Sequence, residues 1–130
     1  MTLGDLGQIP LDHRVVDQLS VSRETIDQLA AFLALLSKWQ PRINLVSSAT
    51  LADAWHRHIL DSAQLSVFLP ETGAHILDIG SGAGFPGLVL SIITDNQVTL
   101  VESDQRKSVF LQTVIRELGL TATVRNERIE

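Results

Sequence analysis

The stretch Ala74-His75-Ile76-Leu77-Asp78-Ile79-Gly80-Ser81-Gly82-Ala83-Gly84-Phe85-Pro86-Gly87 decides the fold. Ile76, Leu77 and Ile79, interrupted by the single acid Asp78, run directly into a turn carrying Gly80, Gly82, Gly84 and Gly87. This reads as a buried strand feeding a turn with few side chains. Without Cβ atoms the backbone can take positive φ and admit a ligand close to its amides, and Pro86 has the fixed φ that suits the first turn of a helix. The pattern calls for a ligand on the turn.

Towards the C-terminus the spacing predicts a short buried helix over Gly87 to Thr94, apolar nearly all round, then a turn at Asp95-Asn96. Val98 to Val101 is an aliphatic strand ending in Glu102. Asp104 to Leu118 reads as a helix with Val109, Phe110, Thr113, Val114 and Leu118 on one side and Gly119 as its C-cap. Thr121 to Val124 is a third strand. Strand, helix, strand, helix, strand is the first half of a doubly wound, Rossmann-like α/β sheet. Such a sheet places the glycine-turn strand centrally, with a fourth strand on its other edge. A chain ending at Glu130 is therefore expected to be a fragment of a longer protein, or to self-associate through the uncovered edge.

Towards the N-terminus, Met1 to Leu19 is an irregular lead with a helical turn near Val15 to Leu19. Ser22 is an N-cap, Ile26, Leu29, Ala30, Leu33 and Leu36 follow helical spacing, and Pro41 closes the segment, which predicts an amphipathic helix. Thr50 and Asp53 form a capping box for a second helix, whose stripe Leu51, Ala54, Trp55, Ile59, Ser62 and Ser66 runs on to Pro70. The expected organisation is a helical segment over 1–70 followed by the half-sheet over 71–130.

The chain has 130 residues, 45% hydrophobic and 19% charged, which fits a globular fold with a core. No cysteine is present, which excludes disulfides, a thiolate nucleophile and cysteine-bound zinc. No run is apolar enough for a secretory signal or a membrane span, so a cytoplasmic protein without a membrane partner is expected. His56 and His58 lie about 200° apart on a helix and cannot share a metal. Arg57 or His58 with Asp61 reads as a surface pair, and Arg106 and Lys107 as a solvated helix face. A net charge of −5 argues against tracking a long duplex, though not against a local basic patch.

Ligands of open α/β sheets bind beyond the carboxyl ends of the strands. The turn Gly80 to Gly84, the acid Glu102 and the loop Arg125 to Glu130 converge there. Glu102 falls 18 residues after Gly84, where an acid can accept ribose hydroxyls. This geometry indicates an adenosine-type cofactor. Gly82 to Gly87 formally matches G-x-G-x-x-G, so a nicotinamide-dinucleotide enzyme is one reading. Asp78 at the end of the strand and the additional Gly80, giving D-I-G-S-G-A-G, favour another. That pattern resembles motif I of the class I S-adenosylmethionine-dependent methyltransferases. A non-catalytic adenosine-ligand module and a scaffold that dimerises through its sheet edge stay open beside both.

The flanks extend the resemblance. Trp39 to Ser47, Arg57-His58-Ile59-Leu60-Asp61-Ser62, Leu77 to Gly87, and Glu102-Ser103-Asp104-Gln105-Arg106-Lys107 with Phe110-Leu111 together look like the glucose-inhibited division protein B family over Ser22 to Glu130. That family comprises bacterial methyltransferases acting on N7 of a guanine in small-subunit (16S) ribosomal RNA. The resemblance implies S-adenosyl-L-methionine as cofactor, contacted by Gly80 and Phe85 at the turn and by Ile129 and Glu130 after the third strand, with Glu102 on the ribose. With Ser81, Gly82 and Gly84 of the same turn these are the expected cofactor-binding residues. Family members continue well beyond this length, so turnover by the 130-residue piece alone is not expected. Guanine N7 has a free lone pair, so no general base is required and no catalytic residue is assigned; no metal is expected. The implied partner is ribosomal RNA or the small ribosomal subunit, met by Lys38, Arg42, Arg57 and His58. Gly87 has a purely structural reading, close packing of helix on strand, and Asp78 one as an acceptor for turn amides.

Overall fold

In the computed structural model, which describes residues 9–128, each of the longer helices begins where a short polar side chain meets free backbone amides. Asp12 accepts from the Arg14 and Val15 amides at the start of α1 (His13–Leu19), and Ser22 from the Thr25 amide at the start of α2 (Arg23–Trp39). The Ile26, Leu29, Phe32, Leu33 and Leu36 stripe of α2 is buried, as its periodicity predicts. Each such side chain contributes on the order of 1.5–3 kcal/mol when fully removed from water. Past Trp39 the Gln40 side chain organises the loop, donating to the Asn44 side chain and the Val46 carbonyl and accepting from the Leu45 and Val46 amides.

The second helical segment differs from the sequence expectation. Its cap is Ser47, whose hydroxyl accepts from the Thr50 amide, so Thr50 lies inside α3 (Ser48–Ala52) and Asp53 terminates it. One regular helix does not follow. The chain passes through a π-helical turn over Trp55–Leu60, the short α4 (Asp61–Ala63) and a 3₁₀ turn over Gln64–Phe68. Of the predicted stripe, Ala54, Trp55, Ile59 and Ser62 are buried and Leu51 and Ser66 only partly so, while Leu60 and Ala63, outside it, are buried as well. The wide π turn changes which residues share a face, and Arg57 reaches back to Asp53 at 3.7 Å instead of forward to Asp61.

Strand β1 (Thr72–Ile79), helix α5 (Gly87–Ile93), β2 (Asp95–Val101), α6 (Gln105–Leu118) and β3 (Thr123–Arg125) complete the chain. The sheet is parallel in the order β1-β2-β3, with Asp78 opposite Leu100 and Leu100 opposite Val124. This is the first half of a Rossmann-like fold. No turn forms at Asp95-Asn96. Asn96 is buried in the strand, where its side chain accepts from the Ala74 amide and donates to the Pro70 carbonyl, so local turn preference yields to two long-range bonds. The third strand lies two residues later than predicted at its start.

The helices cover the sheet face that carries Ile76, Asp78, Val98 and Leu100, and one apolar cluster joins α2, α5, α6 and this face. The opposite face presents His75, Leu77 and Ile79 from β1, with Leu77 57% and Ile79 54% exposed. Across it runs a polar row: His75 Nε2 lies 2.8 Å from the Thr99 hydroxyl, which is 3.3 Å from that of Thr123. Among the described residues no strand pairs with the outer edge of β1, and no helix is long and apolar enough to cross a membrane.

Gly87 opens α5 against the sheet, where a Cβ would meet Leu100 Cδ2 at 2.3 Å and the Asp78 carboxylate at 2.5 Å. Gly87→Ala should therefore lower unfolding stability by about 1–3 kcal/mol, the range for overpacking. Urea denaturation checks this. A change below half of the lower figure would show that α5 slides outward without cost.

Candidate cofactor site at the glycine turn

The carboxyl end of β1 is fastened to that of β2 by backbone bonds. The Gly80 and Ser81 amides both donate to the Val101 carbonyl, at 2.8 and 3.2 Å, and the Gly84 amide donates to the Ser81 carbonyl at 2.8 Å. Gly82 has φ +55, and a Cβ built on it would meet only the Gly80 carbonyl, at 4.0 Å. This side of the turn is open backbone. Gly84, by contrast, lies against Leu88 and Leu111, where its missing Cβ makes room for packing. Ser81 is buried, and its hydroxyl donates to the Asp78 carbonyl at 2.9 Å.

Glu102 is the keystone. It is 7% exposed; Oε1 accepts from the Gly82 amide at 2.7 Å and Oε2 from the Asp104 amide at 2.9 Å. One carboxylate thereby joins the glycine turn to the start of α6. Both bonds have the short lengths of charge-assisted contacts. Its backbone is held as well: the Glu102 amide donates to the Arg125 carbonyl at 3.0 Å, and the Glu102 carbonyl accepts from Asn126 Nδ2 at 2.8 Å. Asn126 also reaches the Ser103 carbonyl and the Ser108 hydroxyl. It was not singled out in the sequence, where its one signal is its place just past a strand end.

Asp78 Oδ2 accepts from the Gly87 amide at 3.0 Å. Burial pushes its carboxyl above the usual range, against the pull of the Gly87 amide and the Ser81 hydroxyl, and the nearby Glu102 charge adds to the rise. Asp78 thus braces the turn and the entry to α5. Phe85 is half-buried beside it, and the Phe85–Pro86 peptide bond is cis.

The sequence reading makes His58 half of a surface pair; in the fold it stacks on Phe85, with ring centroids 4.6 Å apart and planes 17° from parallel. Its Nε2 is buried without a hydrogen-bond partner, and burial lowers its pKa despite the opposing charge of Asp61. Phe85 also meets Phe32 of α2 at 5.1 Å. The ring chain continues through Phe110 to Trp39 at 6.5 and 5.6 Å. Helical spacing alone could not reveal these contacts, because they cross elements far apart in sequence.

The structure brings Gly80, Ser81, Gly82, Gly84, Phe85 and Glu102 together at the carboxyl ends of β1 and β2. Ile129 and Glu130 lie outside the described residues. Among the described residues no group of three His, Cys, Asp or Glu side chains is placed to hold a metal ion. The arrangement offers open backbone, a buried acceptor and an aromatic wall, which together suit a nucleoside with an uncharged or zwitterionic tail.

Comparison with known proteins agrees. The GidB family model, described as rRNA small subunit methyltransferase G, matches residues 25–130. The chain is 57% identical to a ribosomal RNA small subunit methyltransferase G from Rhodospirillum centenum over 110 residues, 85% of this chain and 51% of that protein. It is 53% identical to the protein of that name from Parvibaculum lavamentivorans over 115 residues, and 46% identical to one from Cereibacter sphaeroides over 125 residues. The chain spans about half the length of the curated relatives it matches first.

Two outcomes follow from this geometry. Glu102→Gln can present only one carbonyl oxygen to two amides, so one of them loses its acceptor. Stability should fall by about 1–3 kcal/mol in urea titrations. For His58 the folded pKa lies below the ordinary value of about 6.5, so its contribution is fully present above that pH and is lost as pH falls below it. His58→Phe keeps an aromatic partner for Phe85 and should flatten the stability loss below about pH 6.5; an unchanged pH profile would contradict the assignment.

Proposed function

The chain belongs to the rRNA small subunit methyltransferase G family, GidB, and from that premise we propose that its glycine turn and Glu102 hold S-adenosyl-L-methionine for methyl transfer to ribosomal RNA. The observation that carries the reading is the buried Glu102 carboxylate bonded to the Gly82 amide at the edge of an open, side-chain-free turn. The residues fit the group. Each Glu102 oxygen accepts one amide in the structure and keeps a lone pair for a ribose hydroxyl. A Cβ on Gly80 would meet nothing within 4 Å, which leaves space for the amino-acid end of the cofactor. Gly82 and Gly84 shape the turn, Ser81 fixes its start, and Phe85 supplies an apolar wall.

When bound, the cofactor supplies a methyl group activated on a sulfonium. This chain's own residues bind, orient and exclude water. Phe85, held between His58 and Phe32, would keep solvent from one side of the reacting groups. The proposed acceptor is N7 of a guanine in small-subunit ribosomal RNA. Its lone pair is free of a proton, so alignment supplies the rate advantage and no base is needed. Ile129 and Glu130 are proposed to complete the pocket. Such a reaction belongs in the cytoplasm, with the small ribosomal subunit or its RNA as partner. The open β1 edge, with Leu77 and Ile79 exposed beside it, supports self-association of the 130-residue chain; a monomeric mass at high concentration in sedimentation would reject that part.

A second reading has its own support. The chain spans about half of its relatives' length, so it is also read as a cofactor-binding unit without turnover of its own. Calorimetric titration with S-adenosylhomocysteine, beside NAD as control, tests the common premise. Saturable binding of the first alone is expected, weakened roughly 10–100-fold by Glu102→Gln, which loses hydrogen bonds to a charged group. Binding of NAD, or of neither, would overturn the pocket. Methyl transfer to unmethylated small subunits by the binding-competent chain then separates enzyme from binding unit.

A further inference from the structure

We propose that the groove between the end of α2 and the start of α6 seats a single strand of the substrate RNA, one base resting on Trp39 and its phosphates lying between Arg42 and Arg106. The inference deepens the methyltransferase reading and rests on it for the class of ligand. The groove has a volume of about 360 Å³ and is lined by Trp39, Arg42, Ile43, Gln105, Arg106 and Val109. It combines an aromatic ring, apolar walls and two guanidinium groups. That is the composition of a site that stacks an unpaired base and neutralises its backbone.

The parts are fixed. Trp39 is only partly buried, and its ring is held edge-on against Phe110 at 5.6 Å. The Arg106 guanidinium donates to the Arg42 carbonyl, which ties the loop after α2 to α6 and leaves further N–H groups for an anion. Val109 on the next turn is 44% exposed, an apolar surface beside the ring.

Charge points the same way. The ion pairs among the described residues are His56 and Arg57 with Asp53 and Arg125 with Glu127. Lys38, Arg42, Arg106 and Lys107 enter none of them. The acid among them is Asp104, whose carboxyl is held below the usual range first by the Lys107 amide it caps and further by the Lys107 and Arg106 charges. A chain of net charge −5 thus sets two guanidinium groups that enter no ion pair, Arg42 and Arg106, on the lining of one aromatic groove. So few cations suit a short contact with a particular RNA fold, not the tracking of a duplex.

The position suits the chemistry. Gln105 on the groove wall follows Glu102 by three residues, and the Asp104 amide between them is bonded to Glu102. Trp39 connects through Phe110 and Phe32 to Phe85 at the glycine turn. Of the basic residues expected on RNA, Arg57 is paired with Asp53 and His58 is stacked on Phe85, whereas Arg42 lines the groove together with Arg106.

The test is fluorescence anisotropy of the 130-residue chain with a labelled single-stranded oligoribonucleotide of about ten nucleotides. Arg42→Ala with Arg106→Ala should weaken binding at low salt at least about tenfold and make the slope of log K against log salt shallower by about 1.4, the value for two phosphates. Trp39→Leu should weaken binding roughly tenfold with the slope unchanged, and Trp39→Phe should restore most of the loss. Arg116→Ala, at the far end of α6, should change neither. The proposal is overturned if the wild-type chain does not bind, if the double variant matches it in affinity and slope, if Arg116→Ala has the same effect, or if polyaspartate competes as well as RNA. Circular dichroism confirms that each variant is folded, and the exposed arginines keep the test valid even if Trp39→Leu unfolds. Titration with S-adenosylhomocysteine reads the cofactor pocket separately, so a wild-type chain that binds cofactor but no RNA refutes the groove alone, whereas failure to bind cofactor refutes the methyltransferase reading on which it rests.

Discussion

A single buried carboxylate holds the working end of this sheet together. Glu102 accepts from an amide of the glycine turn and from the amide that precedes α6, so the ends of two parallel strands and the start of a helix meet at one side chain. Burying a charge is unfavourable unless it is fully bonded, and here two backbone donors at 2.7 and 2.9 Å meet that requirement. The geometry also runs in reverse. A turn rich in glycine would otherwise sample many conformations, and the carboxylate selects the one in which Gly82 takes positive φ and its amide points inward. The turn is thus held in one conformation by the fold itself.

The N-terminal helices take part in the same site through rings. Phe85 stands between Phe32 of α2 and His58 of the π turn, and Phe32 continues to Phe110 of α6. A continuous aromatic contact therefore links three helical elements to one wall of the turn. His58 belongs there as a neutral ring, because burial opposes its charge more than Asp61 supports it. The π turn is what allows this. A regular helix from Thr50 onward, as the sequence suggests, would distribute the same side chains over different faces.

Much of this arrangement was legible in the residues, and what was not has physical reasons. Ser22 and the Ile26 to Leu36 stripe locate α2 because cap and periodicity agree, and the glycine turn with Glu102 marks the candidate site because few folds need both. Asp95-Asn96 reads as a turn because local preference is all that a dipeptide shows; Asn96 instead serves Ala74 and Pro70, more than twenty residues away. Thr72 to Ala74 lacks the apolar run that marks β1 further on, so the strand is longer than its hydrophobic part. Ser47 caps α3 in place of Thr50, and the two hydroxyls lie 2.8 Å apart, close enough that either assignment satisfies a short pattern. The two hydrogen bonds accepted by the Glu102 carboxylate are invisible to spacing rules, since the donors lie twenty and two residues away.

The row of His75, Thr99 and Thr123 on the sheet face opposite the described helices has a consequence for how the strands find one another. Parallel strands slide past each other easily when their side chains are interchangeable aliphatics, as on the covered face with Ile76, Val98, Leu100 and Val124. On the other face the partners are not interchangeable. Slipping β2 by one residue would turn Thr99 towards the apolar layer and bring Val98 or Leu100 to the imidazole and hydroxyl instead. The polar row works as a vernier, reading the alignment of three strands that the oily face alone would leave ambiguous.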